Sequence, residues 1–206
     1  AFDVINHSLL TKKLAVYGLA ENTIHFISSF LSNRQQLVCI GTSKSDLKAV
    51  RHGIPQGSIL GPLLFSLYIN DLPLYINSDC ELFADDSSIH CNHSCVRALS
   101  SDLQASVDRL VKWTEFNHMS LNAQKTKCMS ITTRQKHQIM STKPLSVFIS
   151  TVQIEEVQSH KVLGIVIDNK LSWSEHVTYL CKRLSQKIFQ LSKVKHFLNM
   201  HSKKQF

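Results

Sequence analysis

Glycine and proline are scarce in this chain, six and four among 206 residues. That excludes collagen-like repeats and low-complexity linkers. Long apolar runs are missing too. The longest, Ile59 to Ile69, is broken by Gly61, Pro62 and Ser66 and falls well short of the ~20 residues a membrane-crossing helix needs. Charged residues make up only 18% and hydrophobic ones 43%, a balance that argues against disorder and supplies a packed core. The six cysteines show no regular close pairing and read as reduced intracellular thiols, not a secreted disulfide framework. The patterned sequence opens at Ala1 without a Met, a basic leader or an apolar signal region. It reads as a piece whose start lies upstream, with nothing to address it beyond nucleus or cytoplasm.

Acidic residues are the minority charge, 15 against 23 Lys and Arg, for a net charge of +8. The excess is concentrated at one end. From Lys170 onward there are eight bases and one acid, Glu175, which leaves the first 169 residues nearly neutral. Two readings are open. The segment grips nucleic-acid phosphates through one element, or it is a solvated helix face whose partners lie elsewhere.

Periodicity places helices over Ser8–Tyr17, capped by Asn6 or His7, and over Thr23–Leu31, capped by Asn22. Gln36–Ile40 and Leu47–Val50 read as a hairpin around Gly41–Asp46. A Gly/Pro-rich loop, Arg51–Ser58, then runs into an apolar helix up to Asp71, with Pro62 early in it. Cys80–Phe83 and Ser88–Cys91 read as strands joined by a tight Ala-Asp-Asp-Ser turn. Val96–Asn117 is a long amphipathic helix. Further strands are read over Lys127–Thr132, Leu145–Ile149 and Val162–Ile167, and a last amphipathic helix over Ser174–Asn199, with Val177, Leu180, Leu184, Ile188 and Leu191 on its apolar side. Strands and helices mix without strict alternation, so the fold class is α+β. The charge shift divides the chain into 1–169 and 170–206. Trp113 and Trp173 read as core residues.

The chemistry concentrates at Leu82-Phe-Ala-Asp-Asp86. Two carboxylates ~4 Å apart repel by ~4 kcal/mol at an effective dielectric of 20. A hard cation relieves this, and Mg²⁺ (or Mn²⁺) favours one or two carboxylates plus substrate phosphates. On this segment alone a solvated turn is the stronger reading, because Asp is a common turn residue. Upstream, Gly53 and Gly57 free the backbone around Gln56, and the helix start near Ser58 offers unpaired N–H groups to anions. His90, Cys91, His93 and Cys95 crowd together, but their spacing forms no C-x₂-C knuckle and no second pair follows.

The order of these segments resembles the reverse transcriptase domain of LINE-type (non-LTR) retrotransposons over essentially the whole chain. Ala1-Phe-Asp-Val-Ile-Asn-His-Ser-Leu-Leu10 is similar to the tail of that family's first palm motif. Gly53-Ile-Pro-Gln-Gly-Ser58, on to Phe65 and Asn70-Asp71, resembles the second, and Phe83-Ala-Asp-Asp86 the third. Asn122-Ala-Gln-Lys-Thr126 resembles the fourth. Leu163-Gly-Ile-Val-Ile-Asp168 with Leu171-Ser-Trp173 and His176 resembles the fifth.

The resemblance implies a right-hand polymerase palm, an antiparallel sheet backed by helices, followed by the start of a helical thumb, with the fingers missing. It implies RNA-templated DNA synthesis by two-metal nucleotidyl transfer, with an RNA template, a DNA primer and deoxynucleoside triphosphates as partners. In it, Asp85 and Asp86 are metal ligands, Phe2 lies under the nucleotide sugar, and Gln56 and Gly57 face the incoming nucleotide. Lys125 matches a lysine that neutralises or protonates pyrophosphate, an ordinary surface lysine being the competing reading. Lys182, Arg183 and Lys187 are the candidate nucleic-acid contacts.

One element of the family pattern is missing. The metal-binding Asp of its first motif lies ahead of the position matching Ala1, and Asp3 is assigned local hydrogen bonding instead. The isolated chain is therefore expected to be inactive, its full-length parent carrying the activity. The alternative is a non-catalytic nucleic-acid-binding remnant or scaffold that keeps the palm fold.

Overall fold

The computed structural model describes residues 1–132, 145–195 and 197. They fall into two units: residues 1–123 with 147–153, and residues 124–146 with 154–206.

The first unit opens with a single 3₁₀ turn at Phe2–Val4, followed by α1 (His7–Val16) and α2 (Glu21–Leu31). Asn6 caps α1, its side chain accepting from the Leu9 N–H at 3.0 Å, which satisfies one of the donors a helix start leaves over. For α2 the expected cap at Asn22 is corrected. Extended Ala20 precedes Glu21, so Asn22 lies inside the first turn, and Glu21 there suits the positive end of the helix dipole.

The hairpin that follows is β1 (Gln35–Gln36), β2 (Cys39–Ile40), β3 (Ser43–Lys44) and β4 (Lys48–Ala49). β2 pairs with β3 around Gly41-Thr42, and β1 with β4. The loop is thus two residues, shorter than the six anticipated. Gly41 at φ 60 supplies the left-handed position such a tight turn requires.

The apolar segment gives α3 (Leu60–Ile69) and a short α4 (Leu72–Ile76). Arg109 donates to the carbonyl of Ile76, the last residue of α4, at 2.8 Å. The acidic hairpin is β5 (Asp79–Phe83) and β6 (Asp86–His90), with Phe83 opposite Asp86. Its turn is Ala84-Asp85 alone, so Asp86 already belongs to a strand. The long helix α5 spans Val96–Phe116.

The core gathers Ile5, Leu10, Leu14, Ile27, Leu31, Ile54, Phe65, Tyr68 and Trp113, with Phe2, Cys80, Leu82 and Ile89 packed against it. Each fully buried Leu, Ile or Phe contributes about 1.5–3 kcal/mol. Lys13 is inserted in this apolar setting. Its ammonium donates to Asp71 Oδ1 and to the Tyr68 carbonyl, both at 2.7 Å, and stands 4.8 and 5.0 Å from the centroids of Tyr68 and Trp113. Burial lowers its pKa, against the pull of the Asp71 carboxylate.

In the second unit β7 (Lys127–Cys128) pairs in parallel with β10 (Glu155–Glu156). In the first, β8 (Phe148–Ile149) pairs with β9 (Val152–Gln153) and is held to α5 by Gln104, which bonds both the N–H and the carbonyl of Phe148. Back in the second unit, β11 (Ser159–Val162) and β12 (Ile165–Asp168) form a hairpin where one continuous strand was anticipated. Leu163 and Gly164, both at positive φ, reverse the chain, and alternation alone does not reveal a two-residue turn inside an apolar run.

The last described helix of the unit is α6 (Ser174–Val194). The helix anticipated to Asn199 partly lies outside the described residues. Its apolar side chains at Val177, Leu180, Leu184 and Ile188 are exposed, and Trp173 is 47% exposed, whereas Trp113 is core at 3%. Trp173 sits at positive φ just before α6, its ring edge-on to His176.

Helices and small sheets are therefore mixed. Among the described residues the strands form six two-stranded ladders, five antiparallel and one parallel, in place of one broad antiparallel sheet. β1 to β4 are exposed throughout, so no buried face specifies a longer register there. No described helix is long and apolar enough to cross a membrane.

Candidate active site

The opening turn and the Gly53–Ser58 loop are laced together across some fifty residues of sequence. Gly53 N–H donates to the Ile5 carbonyl at 2.8 Å and Ile54 N–H to that of Phe2 at 3.0 Å. His7 Nε2 donates to the Gly53 carbonyl at 2.7 Å. Gln56 Nε2 donates to both carboxylate oxygens of Asp3, at 3.1 and 3.2 Å. The local hydrogen bonding expected of Asp3 is corrected: its carboxylate is held by a residue 53 positions along the chain, because the fold brings the loop back onto the opening turn.

Two glycines make this lacing possible. Gly53 and Gly57 sit at φ 83 and 80, a region that costs other residues ~1–2 kcal/mol. Ser58 closes the loop, donating to the Pro55 carbonyl at 2.7 Å and accepting from the Gly61 N–H at 3.0 Å. Phe2 stacks on Phe65 of α3 with centroids 4.4 Å apart and planes 14° from parallel. The ring has little freedom to swing. A shallow cleft lined by Asp3, Val4, Asn6, His52 and His118 opens beside this turn.

The acidic hairpin rests on the same core through Cys80, Leu82 and Ile89. Its tip is open: Phe83, Ala84, Asp85 and Asp86 are all exposed. Ala84 takes a positive φ of 50, the conformation a tight two-residue turn demands. Among the described residues the carboxylates of Asp85 and Asp86 make no hydrogen bond or ion pair, and no group of three or more His, Cys, Asp or Glu converges. Two hard, unneutralised carboxylates fit a divalent cation that takes its remaining ligands from phosphate and water.

Lys125 is exposed in the turn before β7, in the second unit. Lys182, Arg183 and Lys187 are exposed on α6 of that unit, where Arg183 and Lys187 lie one turn apart and Lys182 beside them. So the structure joins Phe2, Asp3, Gln56 and Gly57 into one turn and seats the Asp85-Asp86 hairpin on the same core.

Asp168, at the end of β12, is 7% exposed. It accepts from the N–H groups of Lys170, Ser172 and Trp173, and those bonds, Ser172's foremost, hold its carboxyl below the usual range. Its place here is structural: it ties the hairpin to the start of α6. His7, read from sequence as an alternative cap of α1, instead binds Gly53, and the pairing of Lys161 with Tyr179 is not legible in the sequence because the partners are distant along it.

Residues 1–197 match the family model described as reverse transcriptase (RNA-dependent DNA polymerase). Among relatives, the RNA-directed DNA polymerase from the mobile element jockey of Drosophila melanogaster is 30% identical over 81% of this chain and 18% of that protein. The probable RNA-directed DNA polymerase from transposon X-element of the same species is 30% identical over 91% of this chain and 20% of its own length. A Pol polyprotein from the type-1 retrotransposable element R2 of Popillia japonica is 25% identical over 70% of the chain. The chain spans about a fifth of the length of the jockey and X-element relatives. The chain belongs to the reverse transcriptase family, in the branch carried by LINE-type (non-LTR) retrotransposons.

Proposed function

We propose that this chain supplies the nucleotidyl-transfer palm, residues 1–169, and the start of the basic thumb, residues 170–206, of a retrotransposon's RNA-directed DNA polymerase. The observation that carries the reading is the hairpin tip, where adjacent Asp85 and Asp86 stand exposed and unpaired on the core that also fixes Phe2 and the Gly53–Gly57 loop. Such a constellation suits a phosphate-bearing substrate and a divalent ion better than it suits stability.

Asp85 and Asp86 would hold Mg²⁺ or Mn²⁺. Bound there, the metal would neutralise charge on the reacting phosphates and ease ionisation of the primer 3′-hydroxyl. Phe2, clamped face to face on Phe65, presents a rigid wall that clashes with a ribose 2′-hydroxyl and so favours deoxynucleotides. Gln56, oriented through its amide nitrogen by Asp3, keeps Oε1 for the nucleotide, and Gly57 lets the backbone come close. Lys125 is the proposed proton donor to departing pyrophosphate. Lys182, Arg183 and Lys187 bind the template–primer duplex by charge.

The test is primer extension on an RNA template by the full-length polypeptide that carries this chain. Asp85→Asn should abolish extension while template binding stays within about twofold of the parent. Extension that survives the substitution removes Asp85 from the chemistry. A parent that binds duplex but never extends supports the non-catalytic scaffold instead.

A further inference from the structure

In the second unit, two cations converge on a single oxygen atom. The Tyr179 hydroxyl on α6 accepts from Lys161 Nζ of β11 at 2.7 Å and from Arg183 Nη1 at 3.4 Å. Lys161 also stands 4.6 Å from the Tyr179 ring centroid, and the Arg183 guanidinium 5.7 Å. A third base, Lys182, lines the same groove as Tyr179, together with Ser174, Glu175 and Thr178. Among the described residues neither Lys161 nor Arg183 is paired with a carboxylate, and both are exposed.

A neutral phenol is a weak resting place for two positive charges. Lys and Arg donors are drawn more strongly to an anionic oxygen, where opposite full charges attract, than to a neutral hydroxyl. An arriving phosphate oxygen would therefore displace the hydroxyl and take both donors, already aimed at one point. The ring offers a second feature. Trp173, His176 and Tyr179 follow one another at three-residue spacing, with centroids 6.5 and 6.3 Å apart, an aromatic row of the kind that accompanies strand binding. Crowded by cations, the Tyr179 phenol has its pKa lowered, chiefly by the Lys161 hydrogen bond.

We propose that Lys161, Tyr179 and Arg183 form a clamp for one phosphodiester of a nucleic-acid strand, with Lys161 reaching it from the β11–β12 hairpin and Arg183 from α6. The clamp rests on the nucleic-acid reading above and adds to it a contact from outside the basic helix. It differs from a simple tether between hairpin and helix, which would affect stability but not salt response.

Fluorescence anisotropy of a labelled RNA–DNA duplex, titrated with the full chain at several salt concentrations, tests it. Lys161→Gln should weaken binding about tenfold and flatten the logarithmic salt slope by roughly 0.9. Arg183→Gln, from the other element, should do the same. Lys48→Gln, an equal loss of charge at an exposed site outside the basic segment, should change affinity less than about twofold. If Lys161→Gln and Arg183→Gln match Lys48→Gln in affinity and slope while the parent chain binds, the clamp is wrong and the broader reading stands. No binding by the parent chain overturns both. Inorganic phosphate competing as well as an unlabelled duplex, per phosphate group, would overturn the nucleic-acid assignment in favour of a free-anion site.

Discussion

A Cβ built on Gly53 would lie 2.7 Å from the Cα of Asp3 and 2.8 Å from its carbonyl oxygen. Both are backbone atoms, with no flexible side chain to move aside. Gly53→Ala adds this clash to the strain of φ 83 and should cost roughly 3 kcal/mol in urea denaturation. Gly57 is the internal control. It has a similar φ of 80 but nothing within 4 Å of the added carbon, so Gly57→Ala should cost only about 1 kcal/mol. Equal costs would mean that the turn and the loop do not touch.

The Lys13–Asp71 pair should respond unequally to loss of either partner. Lys13 keeps only 11% of its side chain exposed, Asp71 39%. Asp71→Asn leaves a buried ammonium facing a carbonyl and two rings, and about 3 kcal/mol should be lost. Lys13→Met leaves Asp71 nearer water and still accepting from Trp113 Nε1 at 3.3 Å, so the loss should be about 1 kcal/mol. Chemical denaturation of the two variants and their double mutant checks the asymmetry.

Asp168 makes a pH prediction with a definite sign. Its folded pKa lies below the ordinary 3.8, first because of the Ser172 N–H. The unfolded chain therefore takes up the proton at higher pH than the folded one. The stability Asp168 confers is complete above the unfolded value and is lost as pH falls through the folded one. Circular dichroism of α6 during acid titration should show a low-pH loss that is absent in Asp168→Asn, which should begin from a less stable state at pH 7. An identical acid limb in both proteins would move the transition to other carboxylates.

Leu163 occupies the left-handed region, at φ 48, ahead of Gly164 at φ 89. Asn tolerates this conformation, and Asn-Gly is the favoured pair for such turns. Leu163→Asn should raise stability by about 1 kcal/mol in thermal denaturation. A loss of stability would favour the uninterrupted strand that alternation suggests.

What the sequence revealed and what it hid divide along physical lines. Asn6 as a cap, the three-and-four spacing of Val107, Leu110 and Thr114, and the acidic hairpin are local, and each is written within a few residues. The Leu163-Gly164 reversal was local too but concealed by apolar neighbours on both sides. Trp173 was misplaced because bulk and hydrophobicity do not reveal a backbone at φ 64. The bonds from Gln56 to Asp3, from His7 to Gly53 and from Lys161 to Tyr179 join residues 53, 46 and 18 apart. No pattern in one sequence encodes such pairs; only the fold brings them together.

The lacing of Phe2 and Ile5 to Gly53 and Ile54 also bears on how the loop is born. Closing a ring of that length costs chain entropy before it returns any contact, so these amides stay unprotected until helices α1 to α3 have collapsed around them. Hydrogen exchange at Gly53 and Ile54 thus becomes a built-in clock, slow only in molecules whose Gly53–Ser58 loop has finished assembling.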